Sequence, residues 1–300
     1  MAKAKEHKSQ HYVSKCYLDA WLDPDAPKHM DPYVWLFERE ARIGKAKAPK
    51  NVFEETDFYT IAAPNGSRDL VFEDGLSELE GRFADIRRRR LDKSISPSEE
   101  EGAYLMAFMV AMSFRTKAHR EYRRSQWRRI LDEMDETRRR ASETHNGRVP
   151  TVRYSNNPYS SLSRDDVQKL VEEPIQYMLS TEIATYLPQL IGMELLILET
   201  DDRVGFITSD DPCIWINEKA NARPPDLPEL GQFAIMMPAS PRQLLYVNPD
   251  QSAFARVNIS MVTSFNCRTR AHAHEYFVSN QNRTREEWFL LTIDATGFAK

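Results

Sequence analysis

One apolar stretch, YLMAFMVAMSF at residues 104–114, decides how the middle of the chain must fold. Wound as a helix, it presents apolar side chains almost all round, and such a helix is predicted to be buried. The preceding Ser96-Pro97-Ser98-Glu99 is typical of a helix start, with proline in the first turn. We therefore predict one long helix from about residue 98 to about residue 140.

Further helices are predicted on both sides of this stretch. Residues 69–93 place apolar side chains at helical spacing on one face. Residues 163–192 are predicted to form one or two helices that begin at Ser163, a residue type suited to helix capping. Together these segments predict a helical insert over residues 69–192.

Strand patterns lie towards both ends of the chain. YVWLF (33–37) and NVFEETDFYTI (51–61) are β-rich, and after residue 193 the segments MELLILET and GFITSDD are typical of a hairpin joined at Asp201-Asp202-Arg203. Residues 257–273 return to a helical pattern, whereas 141–160 and 221–231 are predicted to be loops.

These patterns predict an α+β fold with a β-containing core built from both chain ends and a helical layer inserted between them. We expect residues 1–300 to form a single domain, in which 193–300 make up the β-rich C-terminal half.

Composition excludes several classes of protein. Hydrophobic residues make up 41% of the chain and charged residues 29%, with a net charge of -4, so a packed core is expected. No apolar run could span a bilayer, the start shows no secretory signal, and the three cysteines are far apart. We therefore expect a soluble cytoplasmic protein with no membrane partner. Glycine-rich phosphate-binding motifs are absent, so no nucleotide cofactor is predicted.

The turn Thr208-Ser209-Asp210-Asp211-Pro212 is the strongest candidate for chemistry. It follows a predicted strand, so Asp210 and Asp211 are expected at the edge of a sheet beside Ser209. A carboxylate in that position can activate water or bind a metal ion. Alternatively, the aspartates accept hydrogen bonds from the backbone of the turn, which is the more common role of such residues.

Three other polar residues have two interpretations each. His11 is either a surface histidine or an acid–base group. Glu80 and Arg115 lie at the edges of predicted buried helices, where they either form a structural ion pair or face a polar cleft.

The second half of the long predicted helix is strongly basic. One face carries arginines interleaved with an aromatic residue, a pattern expected for binding a phosphate backbone with a stacking group nearby. Its members are Arg120, Arg123, Arg124, Trp127 and Arg128. The alternative is a solvated helix surface, balanced by the acidic residues one or two turns later.

Several segments together resemble the domain-of-unknown-function family 4238 (DUF4238). The opening HYVSKCYLDAWLD is similar to that family's first motif, although Ser14 stands where the family has proline. KNVFEETDFYT, SELEG, MSFRT, MMPASPRQLL and SFNCRTRAHAHEYFVS resemble later blocks in the same order. FITSDDP resembles an Ile-Thr-Ser-Asp-Asn-Pro motif, with Asp211 replacing asparagine.

The resemblance implies one site that is assembled from both chain ends and the helical insert. Its catalytic candidates are Asp210, His11 and Glu80, and its substrate-binding candidates are Ser209, Asn266, Tyr59 and Arg115. The resemblance also implies a bacterial protein, loosely associated with defence against phage.

Three functions compete at this point. The first is a hydrolase of nucleic acid, expected to be DNA, that acts as a glycosylase: it flips a modified base into a pocket and activates water with a carboxylate, without cofactor or metal. The second is a nuclease that uses Asp210, Asp211, Glu80 and His11 with Mg²⁺. The third is a non-catalytic nucleic-acid-binding or interaction module.

Overall fold

The computed structural model describes residues 9–62, 68–69, 71–144, 162–217, 233–248 and 253–290. These ranges contain eight α-helices and thirteen strands, which confirms the α+β class predicted from the sequence. The predicted loop at 221–231 lies outside the described residues, as does most of the loop predicted at 141–160.

One four-stranded sheet joins the two ends of the chain. Its order is β3-β2-β13-β8, and every neighbouring pair is antiparallel. Strands β2 (Val34–Glu38) and β3 (Lys45–Lys47) come from the N-terminal end, whereas β8 (Thr208–Ser209) and β13 (Tyr276–Ser279) come from the C-terminal half. This pairing confirms that a β-containing core is built from both chain ends.

A five-stranded sheet belongs entirely to the C-terminal half. Its order is β12-β7-β11-β10-β9, with β12 parallel to β7 and the other pairs antiparallel. The strands are β7 (Glu194–Glu199), β9 (Ile214–Asn217), β10 (Phe233–Pro238), β11 (Gln243–Asn248) and β12 (Ala253–Arg256). Two short ribbons complete the strands: β1 (Ser9–His11) with β4 (Glu54–Thr56), and β5 (Ile61–Ala62) with β6 (Arg68–Asp69).

The predicted hairpin across Asp201-Asp202-Arg203 is wrong. Strand β7 belongs to the five-stranded sheet and β8 to the four-stranded one, so the chain passes between sheets here. Gly205 allows this passage because its φ of 69° is a left-handed conformation that L side chains rarely adopt. The next amide, that of Phe206, donates to the Pro241 carbonyl instead of to a hairpin partner.

Five helices fill the middle of the chain, as the predicted insert requires. They are α2 (Val71–Arg89), α3 (Glu99–Phe114), α4 (Lys117–Thr144), α5 (Arg164–Glu172) and α6 (Pro174–Ile191). Helix α3 carries the apolar stretch, is buried along most of its length and packs against α2 and α6. The remaining helices are α1 (Lys15–Leu18), α7 (Ile259–His272) and α8 (Glu287–Leu290).

Both predicted helix starts carry a serine cap, but Pro97 lies before the N-cap Ser98 and not in the first turn of α3 as predicted. Ser98 accepts a hydrogen bond from the Glu101 amide, and the Glu101 carboxylate accepts one from the Ser98 amide, which together form a capping box. Ser163 and Asp166 form the same arrangement at the start of α5.

The single helix predicted over 98–140 is instead two helices, with a break at Arg115 and Thr116. Thr116 begins the second helix, because its hydroxyl accepts a hydrogen bond from the His119 amide at 3.2 Å. Arg115 ends α3 with a non-helical backbone (φ of -103°, ψ of 14°), and its side chain makes the contacts described below.

The N-terminal segment is anchored against both the helices and the four-stranded sheet. Trp21 Nε1 donates to the Phe206 carbonyl at 2.8 Å, and the Tyr17 hydroxyl contacts the Thr208 hydroxyl at 2.6 Å. The rings of Phe83 and Phe108 stack beside Tyr17 with centroids 4.0 Å apart. The start of the chain is therefore fixed next to strand β8.

Cys16, Cys213 and Cys267 are all free thiols. Among the described helices, none combines the length and apolar character needed to cross a membrane.

We expect Gly205→Ala to destabilise the protein by more than about 2 kcal/mol, because strained backbone and overpacking each cost about 1–3 kcal/mol. An added Cβ would lie 1.8 Å from the Pro241 carbonyl oxygen, which is backbone and cannot move aside easily. Urea unfolding followed by circular dichroism measures the change.

Gly75→Ala is the matched control. Gly75 lies in α2 with nothing within 4 Å of an added Cβ, so this change is expected to stabilise the protein by about 0.5–1 kcal/mol. Equal effects of the two substitutions would contradict the role given to Gly205.

Candidate functional site

A small cleft lies between strand β1 and helix α2, and we call it the β1–α2 cleft. One wall is the strand itself, and the other is the face of α2 on which residues recur at i, i+3, i+4 and i+7. Its volume is about 180 Å³. The lining residues are Ser9, Gln10, His11, Lys15, Tyr59, Glu73, Leu76, Ser77 and Glu80.

Arg115 lies directly behind this lining, with only 1% of its side chain exposed. Its Nη2 donates to Glu80 Oε1 at 2.6 Å and to the His11 carbonyl at 3.1 Å, and its Nε donates to the Tyr12 carbonyl at 3.0 Å. Both interpretations of Glu80 and Arg115 are therefore correct. The two residues form an ion pair, and Glu80 also lines a polar cleft.

Tyr59 links the strand to the end of α3. Its hydroxyl lies 3.3 Å from the His11 carbonyl and 3.4 Å from the Arg115 carbonyl, and it can donate to either. Burial raises the pKa of the Tyr59 phenol, so this hydroxyl stays protonated and remains a donor at neutral pH. His11, Tyr59, Glu80 and Arg115 are thus brought together as the resemblance implied.

Gln10 fixes the strand wall of the cleft and was not predicted. Its Oε1 accepts from the Tyr59 amide at 2.6 Å, and its Nε2 donates to Thr60 Oγ1 at 3.2 Å and to Glu73 Oε2 at 3.1 Å. Lys15, Glu73 and Ser77 were missed as well. For Glu73 and Ser77 a signal existed in the sequence, because both share a helical face with Glu80.

Two buried polar atoms of this group lack a hydrogen-bond partner in the described part of the chain. They are His11 Nε2 and Arg115 Nη1. Buried polar atoms are almost always paired, so each unpaired one suggests a bound water or a ligand atom. The β1–α2 cleft therefore combines a carboxylate, an imidazole nitrogen without a partner and a buried cation.

Asp210 has a different environment. Its Oδ1 accepts from the His274 amide at 2.8 Å, and its Oδ2 accepts from the Glu275 and Tyr276 amides at 2.8 and 3.0 Å. The residue is 2% exposed. Its carboxylate binds the backbone at the start of β13, 64 to 66 residues along the chain, so the predicted hydrogen bonds to the backbone of its own turn are wrong for Asp210.

Ser209 and Asn266 also bind backbone. The Ser209 hydroxyl donates to the Asp211 carbonyl at 2.8 Å and accepts from the Asp211 amide at 3.2 Å. Asn266 is fully buried: its Oδ1 accepts from the Ile207 amide, and its Nδ2 donates to the Gly205 carbonyl. Asn266 secures the segment that leads into β8, Ser209 secures the turn that follows β8, and neither lines the β1–α2 cleft.

Asp211 connects this second group to the first. The Thr116 hydroxyl donates to Asp211 Oδ1 at 3.3 Å, and His272 Nε2 lies 3.2 Å from Asp211 Oδ2. Arg115 and Thr116 are adjacent at the helix break, so one short segment contacts both groups. Between them lies Tyr12, whose pKa is raised by burial and then by the charge of Asp210.

The basic face of α4 is a packing face. Trp127 is 5% exposed and packs with Leu131, Val167 and Val171, and its Nε1 donates to Met178 Sδ. Because Trp127 and Leu131 pack against α5, this face of α4 is directed towards the protein interior, and the neighbouring arginines lie beside it.

Those arginines bind partners within the chain. Arg120 makes two hydrogen bonds to the Glu55 carboxylate, and Arg123 Nε donates to Glu182 Oε1 at 2.7 Å. Arg124 donates to the Val171 and Glu172 carbonyls at the end of α5. Of the five predicted backbone-binding residues, Arg128 alone is classed as exposed. The predicted phosphate-binding face is therefore directed largely at α5, α6 and β4.

No group of three or more His, Cys, Asp or Glu side chains within the described ranges is arranged to hold a metal ion.

Residues 9–283 match a family model described as "Protein of unknown function (DUF4238)". No curated protein and no solved structure matches the chain.

We expect the contribution of Asp210 to the stability of the protein to fall as pH rises from about 4 to about 7, as its carboxyl group ionises. Burial raises the pKa of Asp210 to about 6, and the Asp211 carboxylate adds to the rise. The pKa of Asp210 in the folded protein lies above its unfolded value of about 3.9, so the stabilisation that Asp210 contributes is fully present below about pH 3.9. That stabilisation is lost as pH rises through about 6. Two pKa units correspond to about 3 kcal/mol.

Urea unfolding of Asp210→Asn across this range tests the assignment. The variant is expected to lack this pH-dependent loss, because an amide does not ionise in this range. Asp201→Asn is the control, since the Asp201 side chain is 81% exposed. An unchanged pH dependence in Asp210→Asn would show that another group is responsible.

Proposed function

This chain belongs to the DUF4238 family, and on that premise we propose that it is a nucleic-acid-directed hydrolase that cleaves an N-glycosidic bond in the β1–α2 cleft. One observation carries the proposal: Glu80 and His11 line the same small cleft, and His11 Nε2 is buried without a partner in the described part of the chain. A carboxylate and an imidazole in one cleft are the groups that general acid–base hydrolysis requires.

The size of the cleft suits one ring-sized group. Its volume of about 180 Å³ is below the range of about 300–1,000 Å³ that holds drug-sized ligands. A single flipped base or its sugar is a substrate of that scale, and enzymes that act on bases bind the flipped nucleotide in such a pocket.

In the proposed reaction Glu80 acts as the general base. Arg115 Nη2 holds Oε1 of its carboxylate, which leaves Oε2 to take a proton from a water molecule. The water oxygen bonds to the anomeric carbon of the sugar while the bond from that carbon to the base nitrogen breaks. His11 gives a proton to the departing nitrogen, which keeps the bonding electron pair.

We assign the role of catalytic carboxylate to Glu80, in place of Asp210, which the sequence suggested. Both oxygens of Asp210 are occupied by backbone amides, and its side chain is almost completely buried. Glu80 is 25% exposed at its side chain and has one oxygen outside the ion pair. Asp210, Ser209 and Asn266 then support the site by holding the chain around β8.

Contacts with the nucleic-acid backbone are proposed to come from exposed cations. Lys15 is exposed and lines the cleft itself, and Arg128 and Arg129 are exposed on α4. Lys and Arg side chains neutralise phosphates and supply much of the affinity for DNA. Phage DNA with a modified base is the proposed physiological substrate, since the family resemblance implied a loose association with defence against phage.

The test is incubation of the full chain with phage DNA and with host DNA in EDTA, with assays of free base and of alkali-labile strand breaks. We expect base release that falls by about 100-fold or more in Glu80→Gln and in His11→Asn, as for loss of a general acid or base. Glu78→Gln is the matched control, because Glu78 is exposed on the same helix and does not line the cleft.

Other outcomes favour the other two functions. Direct strand cleavage that requires Mg²⁺ would show that the protein is a metal-dependent nuclease and not a glycosylase. Tight DNA binding without release of base or cleavage, in both EDTA and Mg²⁺, would show that it is a binding module. Because Glu80→Gln leaves the buried Arg115 without its counter-charge, its circular dichroism spectrum and unfolding midpoint are measured together with those of His11→Asn.

A further inference from the structure

A second and larger cavity lies on another part of the surface. It runs between the first half of α3, the end of α6 and the paired strands β7 and β12, and we call it the α3–β12 groove. Its volume is about 500 Å³, within the range of about 300–1,000 Å³ that is typical of sites for small molecules. None of its lining residues belongs to the β1–α2 cleft.

The floor and one side of this groove are apolar, whereas serines and glutamates line the rest. Met106 of α3, Met193, and Leu195 and Ile197 of β7 form the floor, and Phe254 of β12 forms one side. At the end of α6, Ile191 borders the groove and is 52% exposed. Apolar surface left open to water in a concave site favours a ligand with an apolar body.

The charges at the rim all have one sign. Glu99 and Glu194 line the groove and are exposed, whereas no Lys, Arg or His is among its described lining residues. The start of α3 also borders the groove, and a helix N-terminus ordinarily attracts anions. Here that tendency is already offset by the Ser98–Glu101 capping box and by three glutamates in the first turn.

We propose that the α3–β12 groove binds a small amphipathic organic cation. Its apolar chain or ring lies against Met106, Leu195, Ile197 and Phe254, and its ammonium group lies near Glu99 and Glu194. This site is independent of the hydrolase proposed for the β1–α2 cleft, so either proposal can fail without the other.

The experiment uses the full chain with ¹³C-methyl methionine and three probes of equal chain length below their micelle concentrations: octyltrimethylammonium, octanoate and octyl glucoside. Saturable shifts are expected at the methyl groups of Met106 and Met193. Met236 and Met237, which lie in β10 outside the groove, are internal references. The cation is expected to bind about 3- to 10-fold more tightly than the neutral probe, as two exposed charge contacts allow. Octanoate is expected to bind most weakly.

Three variants separate charge from shape. The double variant Glu99→Gln with Glu194→Gln is expected to lose the 3- to 10-fold preference for the cation while it keeps the affinity for octyl glucoside. Glu100→Gln is the control, because Glu100 is exposed in the same helical turn but does not line the groove. Ala103→Leu places a larger side chain in the groove and is expected to weaken all three probes, with leucine preserving the helix.

Three results would overturn the proposal. If octanoate binds as tightly as the cation, the carboxylates do not select the ligand. If the shifts at Met106 and Met193 are absent or do not saturate, the groove is not a binding site. A dimer in sedimentation velocity that dissociates in Ala103→Leu would show that a second copy of the chain occupies the groove.

Discussion

The guanidinium of Arg115 is the group on which the arrangement of the first half of the chain depends. A buried charge is costly unless it is paired and hydrogen-bonded, and Arg115 meets that requirement with one carboxylate and two backbone carbonyls. These partners belong to β1, the residue after β1 and helix α2. The Arg115 side chain thus contacts the strand and the helix from the end of α3, and Tyr59 and Gln10 add links between the same elements. The same contacts shape the β1–α2 cleft, since Glu80 and His11 are both on its wall.

The helix break beside Arg115 extends this constraint to the C-terminal half. Thr116 caps α4 with its oxygen and donates its proton to Asp211, so the start of α4 is fixed to the turn after β8. The Asp210 carboxylate in turn accepts hydrogen bonds from three backbone amides at the start of β13. Two adjacent residues thus join a cleft made by the N-terminal strand to a buried acidic turn that leads from β8 of the four-stranded sheet to β9 of the five-stranded sheet. The break between α3 and α4, which the apolar pattern did not predict, is therefore the segment that connects the cleft to the acidic turn.

The charged residues of α4 show how tertiary contacts change the meaning of a pattern. Arginines with a tryptophan on one face are expected for nucleic-acid binding, and the same residues also suit a helix whose interior face is edged with ion pairs. Trp127 decides between them, because its packing against Val167 and Val171 directs that face inward. Arg120 and Arg123 then meet Glu55 and Glu182, which are far away along the chain. No local spacing rule relates an arginine to such a partner.

The sequence by itself determined the elements whose causes are local. The serine caps at Ser98 and Ser163, the burial of α3 and the α+β class follow from periodicity and from residues within one turn of each other. Strand patterns at both ends of the chain also predicted a shared β-containing core, although the pairing itself is long-range. The family resemblance added His11, Tyr59, Glu80 and Arg115 as members of one site, and the structure places these four in contact. Only the tertiary structure decided that Asp210, Ser209 and Asn266 bind backbone, that the predicted hairpin is divided between two sheets, and that the basic face of α4 is packed. For Asp210, Asn266 and the arginines of α4 the physical reason is the same: a buried polar group takes whichever partner the fold brings within hydrogen-bond distance, and here that partner comes from a distant part of the chain. Ser209 differs, because its partner Asp211 is two residues away.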